Sequence, residues 1–135
     1  MLVLIVEDQL PMQNALVDFV RSCYPGAVAL GAAGVVQGLK LCLRDEPDLV
    51  LTDVALPDGN GITLTAEIKV HQPKTPVIIV SQYTASTYVE RAKAAGAYAY
   101  ISKEAIHRDL QPAIDRALVS NGSKSTGRTR RGNIL

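Results

Sequence analysis

The sequence contains no tryptophan and a single phenylalanine, and aromatic residues make up only 4% of it. That scarcity argues against a surface on which nucleic-acid bases stack. Cysteine is almost as rare. Cys23 and Cys42 are too few for a disulfide scaffold, and each falls in a helical apolar pattern, so both read as reduced core residues. No apolar run approaches the roughly 18–20 residues of a membrane span. The longest, Leu2–Val6, runs into Glu7 and Asp8 and lacks the basic flank and small-residue cleavage site of a signal peptide. The expected location is cytoplasmic, with no membrane partner. A basic excess is also missing from most of the chain. All 13 acidic side chains lie in the first 115 positions, whereas Lys124, Arg128, Arg130 and Arg131 crowd the last dozen. Residues 1–119 therefore carry ten basic against 13 acidic groups, about −3. Phosphate contacts need clustered Lys and Arg, so this balance argues against nucleic-acid binding by that part of the chain.

What is present suffices for one domain with a buried core: 135 residues, 47% hydrophobic and 20% charged. Short apolar runs alternate with segments of helical period. Leu2–Val6, 49–51 and 77–80 are bounded and rich in branched residues, as strands buried on both faces are. Residues 27–30 make a weaker strand, and 97–101 carry large side chains at alternate positions, as an edge strand does. Between them, Met12, Leu16, Phe19, Val20 and Cys23 recur at helical spacing, with Pro11 acceptable in the first turn. Val35, Leu39 and Cys42 form a second stripe, weakened by Gly34 and Gly38, which each cost roughly 1 kcal/mol relative to Ala. Leu64 and Ile68 mark a third helix after Gly61. The spacing of Thr87 to Glu90 predicts a capping box opening a fourth, with a thin buried face of Val89, Ala92 and Ala95. Leu110, Ala113, Ile114, Ala117 and Leu118 make a fifth, which Pro112 starts near Asp109. Five strand–helix repeats imply a parallel sheet covered on both faces with right-handed crossovers. Residues 1–119 are the expected domain. Residues 120–135, rich in Gly, Ser and basic side chains without apolar period, are the expected flexible tail or linker.

In an open parallel sheet the site lies beyond the carboxyl ends of the strands. Those ends carry Glu7 and Asp8, then Asp53, then Ser81, then Lys103. Carboxylates brought together repel, and a cation relieves the repulsion. Hard oxygen ligands suit Mg²⁺, which takes one or two carboxylates, keeps several waters and binds substrate phosphate. A metal and a Lys to neutralise phosphoryl oxygens, with a carboxylate nucleophile, are the parts of phosphoryl transfer to an aspartate. Asp53 is the central candidate, because Pro57-Asp58-Gly59-Asn60-Gly61 forms an open turn beside it.

Glu7-Asp8, Asp53 with Pro57 and Gly61, Ser81, Tyr100 and Lys103, in this order, resemble the receiver domains of two-component response regulators over about residues 1–119. The stretch Gly96-Ala97-Tyr98-Ala99-Tyr100-Ile101-Ser102-Lys103-Glu104-Ala105 is most similar to receivers of LuxR-type (NarL/FixJ-like) transcription regulators. The resemblance implies a flavodoxin-like (βα)5 three-layer sandwich with a five-stranded parallel sheet of order 2-1-3-4-5. It implies that Asp53 accepts a phosphoryl group from a sensor histidine kinase. Asp8, Asp53 and the backbone carbonyl of Ala55 would ligate Mg²⁺, with Glu7 acting largely through water. Ser81 and Lys103 would bind the phosphoryl group. Ser81 and Tyr100 would form the switch that alters the surface of helix four, strand five and helix five. Homodimerisation on activation is implied too, with DNA reached only through an output domain outside this chain.

Two positions depart from the family pattern. Glu104 follows Lys103 where Pro is common, so no cis bond is expected there. Gln82 follows Ser81 where a small residue is usual, and with Ala55 and Tyr83 it is expected to modulate the rates of phosphorylation and hydrolysis. Three rivals follow: a degenerate receiver working only as a protein-interaction module, a flavodoxin-like cofactor binder, and an aspartyl-nucleophile phosphatase. The loop after the first strand offers Glu7, Asp8 and Gln9 rather than the hydroxyls and glycines a cofactor phosphate would want. The phosphatase would need a second acid where Ala55 stands.

Overall fold

The structure is a computed structural model, and it describes residues 1–120. Five strands, β1 (Leu2–Val6), β2 (Val28–Ala32), β3 (Leu49–Thr52), β4 (Val77–Ser81) and β5 (Ala99–Ser102), form one parallel sheet in the order β2-β1-β3-β4-β5. The helices are α1 (Leu10–Cys23), α2 (Val35–Asp45), α3 (Gly61–His71), α4 (Ser86–Ala95) and α5 (Gln111–Ser120). The expected flavodoxin-like three-layer arrangement is the one observed.

Both faces of the central strands are covered, which is why they read as unbroken apolar runs. Val3 and Ile5 point into one core with Leu16 and Val20 of α1 and Ala113, Ile114 and Ala117 of α5. Leu4 and Val6 point into the other, with Cys42 of α2 and Leu64 and Ile68 of α3. A third, smaller cluster of Val54, Ile79 and Ala92 holds α4. At roughly 25 cal/mol per Å² of apolar surface removed from water, that leaves α4 the least anchored helix. Ala92 is its only buried residue, while Val89 and Ala95 are half-buried.

Four local expectations need correction. Thr87 does not cap α4: the helix starts one residue earlier, no side chain caps it, and the carbonyl of Ala85 takes the amides of Tyr88 and Val89. The edge strand begins at Ala99, not at residue 97, because Gly96 (φ 103°) and Ala97 close α4 by donating to the carbonyls of Lys93 and Ala92. β2 covers Val28–Ala32 rather than 27–30. The fifth helical segment starts well before Asp109. A 3₁₀ turn at Lys103–Ala105 and a wide π turn at Ile106–Leu110 lead into α5. Pro112 has no amide for the carbonyl of Arg108 and would clash with it in an α-helix, and the wider turn upstream accommodates this.

Cys42 is buried and Cys23 half-buried, and neither is in a disulfide. Among the described residues no helix is long and apolar enough to cross a membrane. The expected tail, apart from Ser120 at the end of α5, lies outside the described residues.

Candidate functional site

The carboxyl ends of β1, β3 and β5 bring three charges together. Lys103 Nζ stands 2.8 Å from Asp53 Oδ2 and 2.9 Å from Glu7 Oε1. The register explains the meeting: Val6 pairs with Thr52 and Ser81 with Ser102, so the residues that follow these pairs emerge at one rim. Asp53 Oδ1 accepts the Val54 amide at 2.6 Å, so with Lys103 both carboxylate oxygens are held. Thr52 donates its hydroxyl to the Asp53 carbonyl at 2.9 Å, and Gly61 donates its amide to the Val54 carbonyl at 2.8 Å. A Cβ on Gly61 would lie 1.8 Å from the Asp53 carbonyl oxygen, so only glycine lets α3 start this close to β3.

Glu7 is 1% exposed. Its Oε2 accepts the Gln9 amide at 3.1 Å, while Oε1 has no directed hydrogen-bond donor. The Lys103 contact with Oε1 is thus an ion pair and not an aligned hydrogen bond. Burial pushes the Glu7 carboxyl upward, against the opposing pull of Lys103. For Lys103, burial pulls the ammonium downward, but the hydrogen bond to Asp53 and the neighbouring Glu7 outweigh it and leave the group raised. Lys103 is therefore fully charged at neutral pH.

Above this triad opens a pocket of about 300 Å³, lined by Asp8, Gln9, Asp53, Ala55, Leu56, Pro57, Gln82, Tyr83 and Lys103. Seven of the expected residues thus cluster: Asp8, Asp53, Ala55, Gln82, Tyr83 and Lys103 around the pocket, with Glu7 beneath. Ser81 and Tyr100 do not line it. Ser81 is fully buried, and its Oγ accepts the Tyr83 amide at 3.0 Å. Tyr100 donates its phenol to the Tyr83 carbonyl, and burial pushes that phenol upward. The peptide bond between Lys103 and Glu104 is trans, in keeping with the absence of Pro.

Mg²⁺ fits this donor set. Among the described residues no three of His, Cys, Asp and Glu stand together as a closed metal cage. Mg²⁺ does not need one, since it is held by one or two carboxylates and keeps several waters. The pocket is lined by Asp8, Asp53 and Ala55 and has room for solvent. The Glu7 oxygen without a donor is an acceptor that a metal-bound water would satisfy.

Two contributors leave no clear mark in the sequence pattern. Asp58 reaches across to α2, where its carboxylate accepts the amides of Val35 and Val36 at 2.7 and 3.0 Å. Gln13 donates to the carbonyls of Glu7 and Ala32 at 2.9 and 3.3 Å, tying the end of β1 to β2. Only the turn chemistry of Pro57-Asp58-Gly59 hinted at the first, and nothing hinted at the second.

The family model for the response regulator receiver domain matches residues 3–115. The transcriptional regulatory protein PdtaR of Mycobacterium tuberculosis is 35% identical over 86% of this chain and 56% of its own length. Among solved structures, a LuxR-family DNA-binding response regulator from Staphylococcus aureus superposes with a TM-score of 0.79 at 26% identity, over 86% of this chain and 97% of that one. A CheY-like receiver domain protein from Methanospirillum hungatei gives 0.78 at 28%, over 92% and 98%. The chain spans about half the length of the curated relatives it matches.

Proposed function

The chain belongs to the response regulator receiver family, a family of signalling domains, and from that premise we propose that it is a phosphorylation-controlled switch with Asp53 as phosphoacceptor. The observation that carries the reading is the Lys103 ammonium set between Asp53 and Glu7 at the floor of an open polar pocket. The donor is a phosphohistidine of a sensor histidine kinase. One Asp53 carboxylate oxygen bonds to phosphorus as the phosphorus–nitrogen bond breaks, and the electron pair leaves on the imidazole nitrogen. Asp8, Asp53 and the Ala55 carbonyl would hold Mg²⁺, with Glu7 acting through water, and the ion would supply positive charge for the phosphoryl oxygens. Lys103 exchanges its hydrogen bond with Asp53 for one to a phosphoryl oxygen, and its fixed charge needs no proton transfer.

Ser81 and Tyr100 form the switch. The Ser81 hydroxyl turns from the Tyr83 amide to the phosphoryl group, and Tyr100 leaves the Tyr83 carbonyl and moves inward. Phosphorylation drives this only to the extent that the new contacts favour one arrangement. The weak anchoring of α4 makes that helix the element able to respond. Gln82, Ala55 and Tyr83 at the pocket rim modulate phosphorylation and hydrolysis. The altered α4–β5–α5 surface, with homodimerisation, then controls transcription through a DNA-binding domain outside this chain, in the cytoplasm. Incubation with Mg²⁺ and acetyl phosphate tests the reading. Uptake by the wild type and none by Asp53→Asn supports it, and no uptake leaves a phosphorylation-independent interaction module.

A further inference from the structure

The backbone after Asp53 folds into a hairpin so small that it needs outside support. Residues Ala55–Leu56 pair with Gly59–Asn60, and Pro57-Asp58 makes the turn. Even larger isolated two-stranded hairpins are marginal in water. The base of this one is tied twice, by Gly61 to the Val54 carbonyl and by the Asn60 side chain, which accepts the Ile62 amide at 2.6 Å and caps α3. At the tip, Leu56 packs against the core cluster beside α2 and α3, and Asp58 supplies the side-chain hydrogen bonds to α2. Its carboxylate grips the first two amides of α2, a helix whose own N-cap, Gly34, contributes no side chain. Four amides at a helix start lack partners, and the helix dipole favours an anion there. The amides of Val36 and Val35 hold the Asp58 carboxyl below its ordinary value. The space is shared closely, for a Cβ on Gly34 would lie 2.6 Å from Asp58 Oδ1.

We infer that Asp58 is a positioning residue: by clamping the hairpin tip onto α2 it holds the Ala55 backbone where the pocket needs an oxygen ligand. This rests on the reading of the pocket as a Mg²⁺-assisted phosphoacceptor site. Ala55, Leu56 and Pro57 line that pocket, while Pro57 and Asp58 also line a cavity on the α2 side with Gly34 and Val36. The hairpin is thus the wall between the two, and Asp58 fixes its far face.

Helix capping and loop positioning are separable here, because Asp58→Ala vacates the room a side chain at Gly34 would occupy. Gly34 has φ −166°, ordinary extended backbone, so Gly34→Ser supplies a local N-cap in the Asp58→Ala background. The experiment titrates Mg²⁺ by calorimetry into wild type, Asp58→Ala and Asp58→Ala/Gly34→Ser, with melting and amide exchange on each. Asp58→Ala is expected to weaken Mg²⁺ binding about tenfold, as loss of a group that orients a metal ligand does. In the double variant, α2 protection and melting temperature return, while weak Mg²⁺ binding and fast exchange at Ala55 and Asn60 persist. Unchanged affinity in Asp58→Ala, or affinity that recovers together with the melting temperature, overturns the inference. A wild type that takes up no Mg²⁺ overturns the reading of the site, and this inference with it.

Discussion

Tyr100 reaches across from β5 and donates its phenol to the main-chain carbonyl of Tyr83. The amide of the same residue is donated to Ser81 Oγ. The two expected switch residues are therefore joined through one residue of the β4–α4 loop, and neither moves without disturbing its hold on that loop. Stability measured for Ser81→Ala, Tyr100→Phe and the double variant is expected to show a coupling energy of about 0.5 kcal/mol or more. Strict additivity would separate the two residues.

Lys103→Met removes the cation between Glu7 and Asp53 and leaves two largely buried carboxylates uncompensated. Breaking a largely buried pair of this kind costs about 3 kcal/mol, to be read from denaturant unfolding. Phosphoryl uptake, followed well below the melting transition, is expected to fall by about a hundredfold through loss of the fixed charge.

Gly61→Ala would drive a methyl group into the Asp53 carbonyl, 1.8 Å from the ideal Cβ position. The clash is with backbone, which yields poorly, so α3 must shift. A loss of about 3 kcal/mol is expected on thermal unfolding, together with weaker Mg²⁺ binding. A neutral substitution would show that the close approach of α3 to β3 is not required.

Gln82 is exposed and lines the pocket rim. Truncating it to Ala opens a path for water, so the acyl phosphate of Gln82→Ala is expected to decay severalfold faster than that of the wild type. Equal lifetimes would place Gln82 outside the path of hydrolysis.

Away from the site, Tyr24 donates its phenol to Asp115 Oδ1 at 2.5 Å, linking α1 to α5. Burial first, then Asp115, pushes that phenol far above its ordinary value near 10. The folded state therefore holds the proton more tightly than the unfolded one. The stabilisation is fully present below about pH 10 and is lost as pH rises above that value. Tyr24→Phe is expected to cost about 1 kcal/mol at neutral pH and to flatten the alkaline loss seen in melting temperature.

How much of this was legible in the sequence follows from range. β1 is legible to the residue, because Leu2–Val6 packs both faces into cores and is apolar throughout. The convergence of Glu7, Asp8, Asp53 and Lys103 was legible too, since parallel topology sends all strand ends to one rim. What escaped depends on partners distant in sequence. Gly34 looked like a weak helical residue, yet it is an N-cap whose missing side chain is replaced by Asp58. Thr87 matched a capping motif, but the Ala85 carbonyl already serves the first turn of α4. The resemblance pairs Ser81 with Tyr100, but their common attachment to the Tyr83 main chain leaves no mark in the identity of residue 83.

The most direct test is chemical location of the phosphoryl group. The wild type is treated with Mg²⁺ and acetyl phosphate, reduced with borohydride, digested and read by tandem mass spectrometry. Conversion of Asp53 to homoserine, dependent on Mg²⁺ and lost in Lys103→Met, is the predicted result. Phosphoryl uptake at any other residue, or none in the wild type, would contradict the account.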